Sequence, residues 1–361
     1  MNMQVAINET ETQTSYGEIF SLDQDTFFLQ GVIDEIHRVT PMIRFKQSFA
    51  EAARTLRKGD AIDDTTRHHI QQAFRHTISY VNRMLYHTTR FDERQKKVIG
   101  NWLHEEFVAF CMLGTWPSRS LEKPQNIAGD HHTINQIYQN GDAERRTLGD
   151  LVNYCFFEEP ACKAVKNRKL YIQNIITQTI SKNSDRQIRV ASIASGPAKE
   201  LFAVYDTLGK DNAKLLKAVG IDIDKRACAS VDDGIAKRRL NNYFSTEARN
   251  VLRLGSLPKH LQEQDIVYTM GLIDYFSDKL VIKILNSIYA MLKAGGTAVV
   301  GNFHTACDSR IFLDYLLDWE LIYRTEDDMK RLFAQSDFAG CEVNVDFEAE
   351  GVNMLARCTK Q

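Results

Sequence analysis

The chain of 361 residues exceeds the usual size of one compact domain, so two regions are the starting expectation. Apolar residues make up 43% and charged ones 25%, which is ordinary for a globular protein with ample material for a core. A formal net charge of −2 argues against a nucleic-acid binder built on a broad phosphate-neutralising surface.

The seven cysteines form no C-x-x-C pair, so neither a disulfide framework nor a zinc site is suggested, and no metal is expected. The opening run MNMQVAINETETQ lacks the basic-then-apolar order of a signal peptide. No apolar run approaches the ~20 residues needed to span a bilayer. These features predict a soluble, cytoplasmic chain with reduced thiols and no membrane span.

From about Leu22 to Phe110 the pattern is helical. Phe27, Phe28, Val32, Ile33 and Ile36 recur at helical spacing after Asp25 as N-cap. Pro41 punctuates, and a second amphipathic run carries Ile43, Phe45, Phe49 and Leu56 toward Gly59. A third helix starts near Asp63-Asp64, and a fourth spans Gln95 to Leu113. Short connections predict a bundle. The pair His68-His69 points to different helix faces and reads as solvent-facing rather than metal-binding. Between Gly114 and Asp142 the helical period lapses in a Pro-, Gly-, Asn- and Ser-rich stretch, the chemistry of an ordered loop or lid. Helical period returns from Leu148 to Ile180, broken at Pro160, and Ser181 to Arg186 reads as a boundary between a helical region 1–185 and a second region 186–361.

Beyond Gln187, short apolar strands alternate with amphipathic helices. IRVASIA reads as the first strand, the end of LLKAVGIDI as the second, NVLRL as the third, DIVYTMG as the fourth and GGTAVVGNF as the fifth. The intervening helices predict an α/β fold with a mostly parallel, Rossmann-like sheet. The tail CEVNVDFEAEGVNMLARCT reads as two strands with no helix between them, an antiparallel edge hairpin.

In such a sheet, ligands bind beyond the carboxyl end of the first strand, where the turn Ala194-Ser195-Gly196-Pro197-Ala198 leaves room for a close approach. A dinucleotide fingerprint would want G-x-G-x-x-G and a free helix N-terminus. Alanines replace two of those glycines and Pro197 lacks an N–H, so a ligand without a pyrophosphate fits better. Asp222, in Gly-Ile-Asp-Ile-Asp, can accept hydrogen bonds from ribose hydroxyls, with Asp224 as cap of the next helix. Both carboxylates could instead be ordinary strand-end caps.

The ordered set ASGPAKE, GIDID, NVLRL, DIVYTMGLIDYF and LKAGGTAVVGNF resembles class I S-adenosylmethionine-dependent methyltransferases. With IAGDHHTINQIYQNGD and DWELIYRTEDDM, the chain is further similar to a bacterial subfamily that includes synthases of 3-hydroxypalmitic acid methyl ester and carries a helical N-terminal region. It departs from the general class I pattern at Ser192, where an acidic residue is common, and from the subfamily at His131-His132, where relatives usually carry an aromatic and an acidic residue. The resemblance implies a Rossmann-like methyltransferase sheet and S-adenosylmethionine as cofactor. Ser195, Gly196 and Ala198 would line its methionine and ribose side. Asp222 would hold the ribose, Asn250 would meet the adenine, and Met270 with Gly271 would face the sulfonium.

Methyl transfer from a sulfonium is an in-line displacement governed by positioning and desolvation. A carboxylate acceptor is already ionised and needs a clamp rather than a base, whereas an acceptor that must lose a proton needs a base such as histidine. His304, after the fifth strand, and His131 are the candidate bases or clamps. Arg324 is the preferred carboxylate clamp, because its forked donors match that anion. Asp130, His132, Tyr275 and Tyr323 are assigned to the substrate side or lid. The aromatic stripe Ile311, Phe312, Tyr315, Leu316 and Trp319 predicts a helix capping the sheet edge. The leading expectation is a methyltransferase acting on a small, apolar carboxylic acid, with no nucleic-acid partner and with homodimerisation left open. The alternatives are a cofactor-binding scaffold or regulatory module, motivated by the glycine-poor turn, and a nucleic-acid methyltransferase. The last is disfavoured because MGLIDYF stands in place of the N/D-P-P-Y/F run that holds a flipped base.

Overall fold

The structure, a computed structural model, describes residues 17–139, 147–253 and 257–361. The N-terminal run read for a signal sequence lies outside these residues, as do the last residues of the stretch read as a lid, 140–142.

Eight helices come first: α1 (Gly17–Val39), α2 (Met42–Arg57), α3 (Asp64–Tyr86), α4 (Glu93–Cys111), α5 (Thr115–Glu122), α6 (His131–Gln139), α7 (Leu148–Phe157) and α8 (Pro160–Lys182). Their starts follow local chemistry. Asp63 caps α3 by accepting the Thr66 N–H at 2.8 Å, and Asp92 with Gln95 forms a reciprocal capping box on α4. Two expectations need correction. Asp25 lies inside α1 rather than capping it, because the helix begins at Gly17. The stretch after Gly114 is not one loop but contains α5 and α6, too short to show a helical period yet fixed by tertiary contacts. His68, His69, His76 and His87 are all exposed.

The second region forms one seven-stranded sheet of β1 (Ile188–Ile193), β2 (Leu216–Asp222), β3 (Phe244–Ala248), β4 (Gln264–Met270), β5 (Leu292–Phe303), β6 (Val343–Phe347) and β7 (Asn353–Thr359). The strand order is β3-β2-β1-β4-β5-β7-β6. The first five strands are parallel, and β7 runs antiparallel to both β5 and β6. This is the Rossmann-like sheet with an antiparallel edge hairpin that the sequence predicts. Strand three is displaced, however. Residues 244–248 pair with β2, whereas Val251–Arg253 form a 3-10 turn whose Val251 packs under the sheet. A short run such as Asn250–Leu254 carries no period that separates a strand from a buried turn, and its last residue lies outside the described ones.

Helices α9 (Lys199–Asn212), α10 (Lys225–Arg238), α11 (Asp278–Met291) and α12 (Glu326–Ala334) sandwich the sheet. Ala191, Ile193, Val267 and Val300 face α11 and α12, while the alternate residues Val190, Ala218, Ile266 and Val299 face α8, α9 and α10. Burying Val281, Ile284, Leu285 and Ile288 of α11 contributes about 1.5–3 kcal/mol each.

The two regions share structure. Helix α8 gives Ala161, Ala164 and Val165 to the helical core and Ile172, Ile176 and Ile180 to the sheet core. The segment after β5 runs back into the helical core. There the buried Asn82 side chain donates to the Cys307 carbonyl at 3.1 Å and accepts the Ile311 N–H at 2.9 Å. The expected cap helix is only a short π-helical turn, Phe312–Leu316. Its apolar stripe packs inward, with the Tyr315 ring lying where any side chain on Gly100 of α4 would have to go. Among the described residues, no helix is long and apolar enough to cross a membrane.

Candidate functional site

Chain order reverses between β1 and β4, and a crevice forms outside the carboxyl ends of the strands at such a point. The turn after β1 enters it. Ala194, Gly196 and Ala198 all take left-handed backbone conformations, with φ of 52°, 49° and 47°. Two of these three cost an alanine strain that glycine avoids, on the order of 1 kcal/mol each. A side chain on Gly196 would meet no protein atom within 4 Å, so the space it faces belongs to the cavity.

The turn is held by Asp222 at the end of β2. One carboxylate oxygen accepts the Gly196 N–H and the other the Asp224 N–H, both at 2.9 Å. Burial raises the Asp222 carboxyl above its ordinary range, and these two hydrogen bonds oppose the shift. Each oxygen keeps a further lone pair free. Asp224 caps α10 through the Arg226 N–H at 3.0 Å.

Helix α6 closes over these carboxylates. Asp130 is its N-cap, accepting the Thr133 N–H at 2.8 Å, and is fastened to Arg119 of α5 at 2.5 Å. The cap brings His131 inward, where Nδ1 stands 3.6 Å from Asp224. Burial, then the neighbouring His132, pushes the His131 pKa down against the pull of Asp224, Asp130 and Asp222. His132 stacks on His131, with ring centroids 4.1 Å apart, but is itself exposed and does not line the cavity.

The other end of the cavity lies at the end of β4. Met270, Gly271, Asp274 and Tyr275 line it, with apolar walls from Ile134, Val165, Ile172, Phe303, Trp319 and Leu321. With β1 between them, the ends of β2 and β4 lie about 10 Å apart. His131 therefore borders the Asp222 end rather than the Met270 end. The Tyr275 hydroxyl reaches the Ala128 carbonyl at 3.4 Å, tying the β4 loop to the segment before α6.

Four expected residues stand elsewhere. Arg324 is buried, and its guanidinium makes five hydrogen bonds, to the carbonyls of Ile273 and Phe276, to Asn302 and twice to Asp278. Its donors are consumed in shaping the loop after β4, so it has none for a substrate. His304 accepts the Ala306 N–H at Nδ1, and its Nε2 pairs with Glu326 at 3.0 Å, which occupies both ring nitrogens outside the cavity. Tyr323 donates to Asp314 at 2.7 Å on the helical-core side. The Asn250 side chain accepts the Leu252 N–H at 2.9 Å and closes a local turn. His304 is read from its place after the fifth strand, Tyr323 and Arg324 from theirs after the aromatic stripe and Asn250 from the resemblance, but none of these places fixes which way a side chain turns.

Among the cavity residues to which the sequence assigns no site role, Arg168, Glu200 and Trp319 stand out. Arg168 of α8 is 6% exposed and lies against the end of β4: a Cβ on Gly271 would fall 2.9 Å from its Nη1. Glu200 of α9 is buried, accepts the Tyr268 hydroxyl at 2.6 Å, and has its carboxyl raised chiefly by burial. Trp319 arrives from the segment after β5. A cationic residue inside an otherwise apolar helix face was the one available signal for Arg168. Buried polar atoms without a hydrogen-bond partner gather around this cavity, at His131 Nδ1, Arg168 Nε, Asp224 Oδ2, Asp274 Oδ2 and Trp319 Nε1. Among the described residues, no group of three or more His, Cys, Asp or Glu is arranged to hold a metal ion.

A family profile described as "Putative methyltransferase" matches residues 112–352, more than half of the chain. The chain belongs to that family. The matched span runs from α5 through β6 and ends just before β7, so this methyltransferase family includes the helical segment that closes the Asp222 end. Among curated proteins, no relative matches. Of solved structures, a protein from Bordetella parapertussis described as a possible exported protein is 16% identical over 83% of this chain and 99% of its own, with a TM-score of 0.51, a likeness of fold alone. The magnesium protoporphyrin IX methyltransferase of Synechocystis PCC 6803, with bound S-adenosylhomocysteine, is 8% identical over 63% of this chain and 92% of its own, at a TM-score of 0.45. An S-adenosylmethionine-dependent methyltransferase in its apo form is 15% identical over 88% and 96%, also at 0.45.

The residues present fit S-adenosylmethionine. The cavity face at Gly196 is free of any side chain, Asp222 keeps lone pairs for a diol, and orphaned polar atoms line both ends.

Proposed function

We propose that the chain transfers a methyl group from S-adenosylmethionine to the carboxylate oxygen of an apolar small molecule, giving a methyl ester. The carrying observation is one cavity with two unlike ends. At one end Asp222 braces the β1 turn, and at the other apolar side chains surround the end of β4. Asp222 orients the donor's ribose, and Ser195, Gly196 and Ala198 shape the wall beside it. Met270 and Gly271 form the floor between donor and acceptor. Family membership supports methyl transfer, and the resemblance to fatty-acid methyl ester synthases agrees with the apolar walls.

The donor supplies a methyl group on a sulfonium. The C–S bond breaks as the O–CH3 bond forms, the electron pair stays on sulfur, and the opposite charges of sulfonium and carboxylate are both removed. No proton is released, so no base is required. The site's contribution is to desolvate and align the two partners. The region 1–185 acts in this reading as the part that encloses the acceptor, since α6 and α8 supply Ile134, Val165 and Ile172.

Calorimetric titration of S-adenosylmethionine into the full chain, followed by mass spectrometry of reactions with saturated carboxylic acids, tests both halves. Binding with ester formation is expected. A folded chain that gives no heat with the donor would sink the reading.

A further inference from the structure

Arg168 is a cavity residue to which donor binding and methyl transfer as proposed assign no task. It projects from α8 into the cavity, is nine-tenths buried, and fills the space beside Gly271 at the end of β4 that a side chain there would need. Among the described residues no carboxylate lies within 4.0 Å of its guanidinium and Nε has no hydrogen-bond partner, while the Tyr138 hydroxyl stands within reach of the guanidinium and the buried Asp274 and Glu200 carboxyls feel its charge. Tyr138 and Asp274 line the cavity beside it. Asp274 spends one oxygen on the Phe303 N–H at 2.7 Å and leaves the other unpartnered. A buried cation without an ion-pair partner is expensive, and folds keep one where a ligand supplies the missing charge.

We infer that Arg168 is the acceptor-binding cation of this site: its guanidinium takes the acceptor's carboxylate and holds it at the Met270–Gly271 end, with the acceptor's apolar chain running among Val165, Ile172, Trp319 and Leu321. This deepens the proposed function and rests on it. Three features select the ligand class. A planar guanidinium matches a planar carboxylate through two parallel hydrogen bonds. A single cation beside Asp274 suits a monoanion better than a phosphate dianion. The surrounding walls are apolar, so the remainder of the ligand must be apolar too. Gly271 contributes by lacking a side chain. At its φ of 113° a substituent would be strained and would displace the guanidinium.

The competing cation is Lys169, which also lines the cavity. Its ammonium sits over the Tyr138 ring at 5.0 Å from the centroid and is less buried.

The test uses the full chain saturated with S-adenosylhomocysteine. It is titrated with saturated carboxylates from octanoate to hexadecanoate and with the alcohols of matching length. A preference for carboxylate over alcohol of about tenfold or more is expected in the wild type. Arg168→Gln should abolish the preference while binding S-adenosylmethionine within about threefold of wild type, and Lys169→Met should keep it. Under turnover, Arg168→Gln should raise KM for the carboxylate more than it lowers kcat. Retention of the preference in Arg168→Gln, or its loss in Lys169→Met instead, overturns the assignment. Should Arg168→Gln fail to fold, protection of Arg168 in the wild type from an arginine-directed dicarbonyl reagent, read by peptide mass spectrometry, decides the question. A bound carboxylate should protect it, and absence of protection counts against the role. A wild type that binds the donor but no carboxylate rejects Arg168 as the clamp and leaves methyl transfer to another acceptor standing. A wild type that binds no donor rejects the broader reading.

Discussion

The carboxylate of Asp222 accepts the backbone N–H of Gly196 at 2.9 Å, so the end of β2 holds the turn that follows β1. One side chain thereby both shapes the donor wall and, in the proposed function, grips the donor's ribose. Asp222→Ala should therefore weaken S-adenosylmethionine binding by more than a single ribose contact accounts for. Hydrogen bonds to a charged group contribute about 1.5–3 kcal/mol each, so a loss of at least about a hundredfold in Kd is expected by calorimetry. An affinity within threefold of wild type would refute the assignment.

Ala194 sits at a φ of 52° on the cavity side of the same turn. Ala194→Gly removes left-handed strain while loosening the unfolded chain, and the strain dominates where φ is positive. A gain of up to about 1 kcal/mol in urea unfolding is expected, with donor affinity unchanged. A clear loss of stability would show that the alanine methyl packs against something the turn requires.

Arg324 is a framework residue. Removing a buried cation that makes five hydrogen bonds leaves the Ile273 and Phe276 carbonyls and the buried Asn302 side chain without their donor, at a cost of about 1–3 kcal/mol for each buried group, while Asp278 keeps Arg331. Arg324→Ala should lower the melting temperature sharply, and Arg324→Lys should do so in part. Neither should alter the preference between a carboxylate and the alcohol of equal chain length. A selective loss of carboxylate binding in a fully stable Arg324→Lys chain would restore it as a clamp.

Glu159 at the start of α8 is fully buried. Its pKa is raised from the ordinary glutamate range to about 7, first by burial, with the Arg75 guanidinium and Ser309 opposing and Asp308 adding to the rise. A folded-state value above the unfolded one means the folded chain holds this proton more tightly. The associated stability is complete below about pH 4.5 and is lost as pH climbs through 7. The loss is on the order of 1–3 kcal/mol. Urea unfolding at pH 5 and pH 8 should therefore show a larger decline for wild type than for Glu159→Gln. Equal declines would place the titration elsewhere.

The fold was legible in the sequence wherever a pattern is local. Alternating apolar strands and amphipathic helices dictate a parallel sheet, and a tail without a helix dictates an antiparallel edge. The place of Asp222 at the end of β2, against the turn after β1, was legible because the apolar run of that strand ends on it. Residues 244–248 were not. Phe-Ser-Thr-Glu-Ala carries little strand signal and becomes β3 only because β2 offers it a parallel edge.

Side-chain direction was decided by the tertiary structure alone. His304 follows the fifth strand and Arg324 the aromatic stripe, as the sequence indicates, yet both turn into hydrogen-bond networks that the chain assembles from distant segments. Arg168 lies well before the first strand and reaches the end of β4 only because α8 spans both cores. Local spacing specifies which face of an element is apolar. It carries no information about which distant backbone closes against that face, and here that closure determines which cation is left without an ion-pair partner.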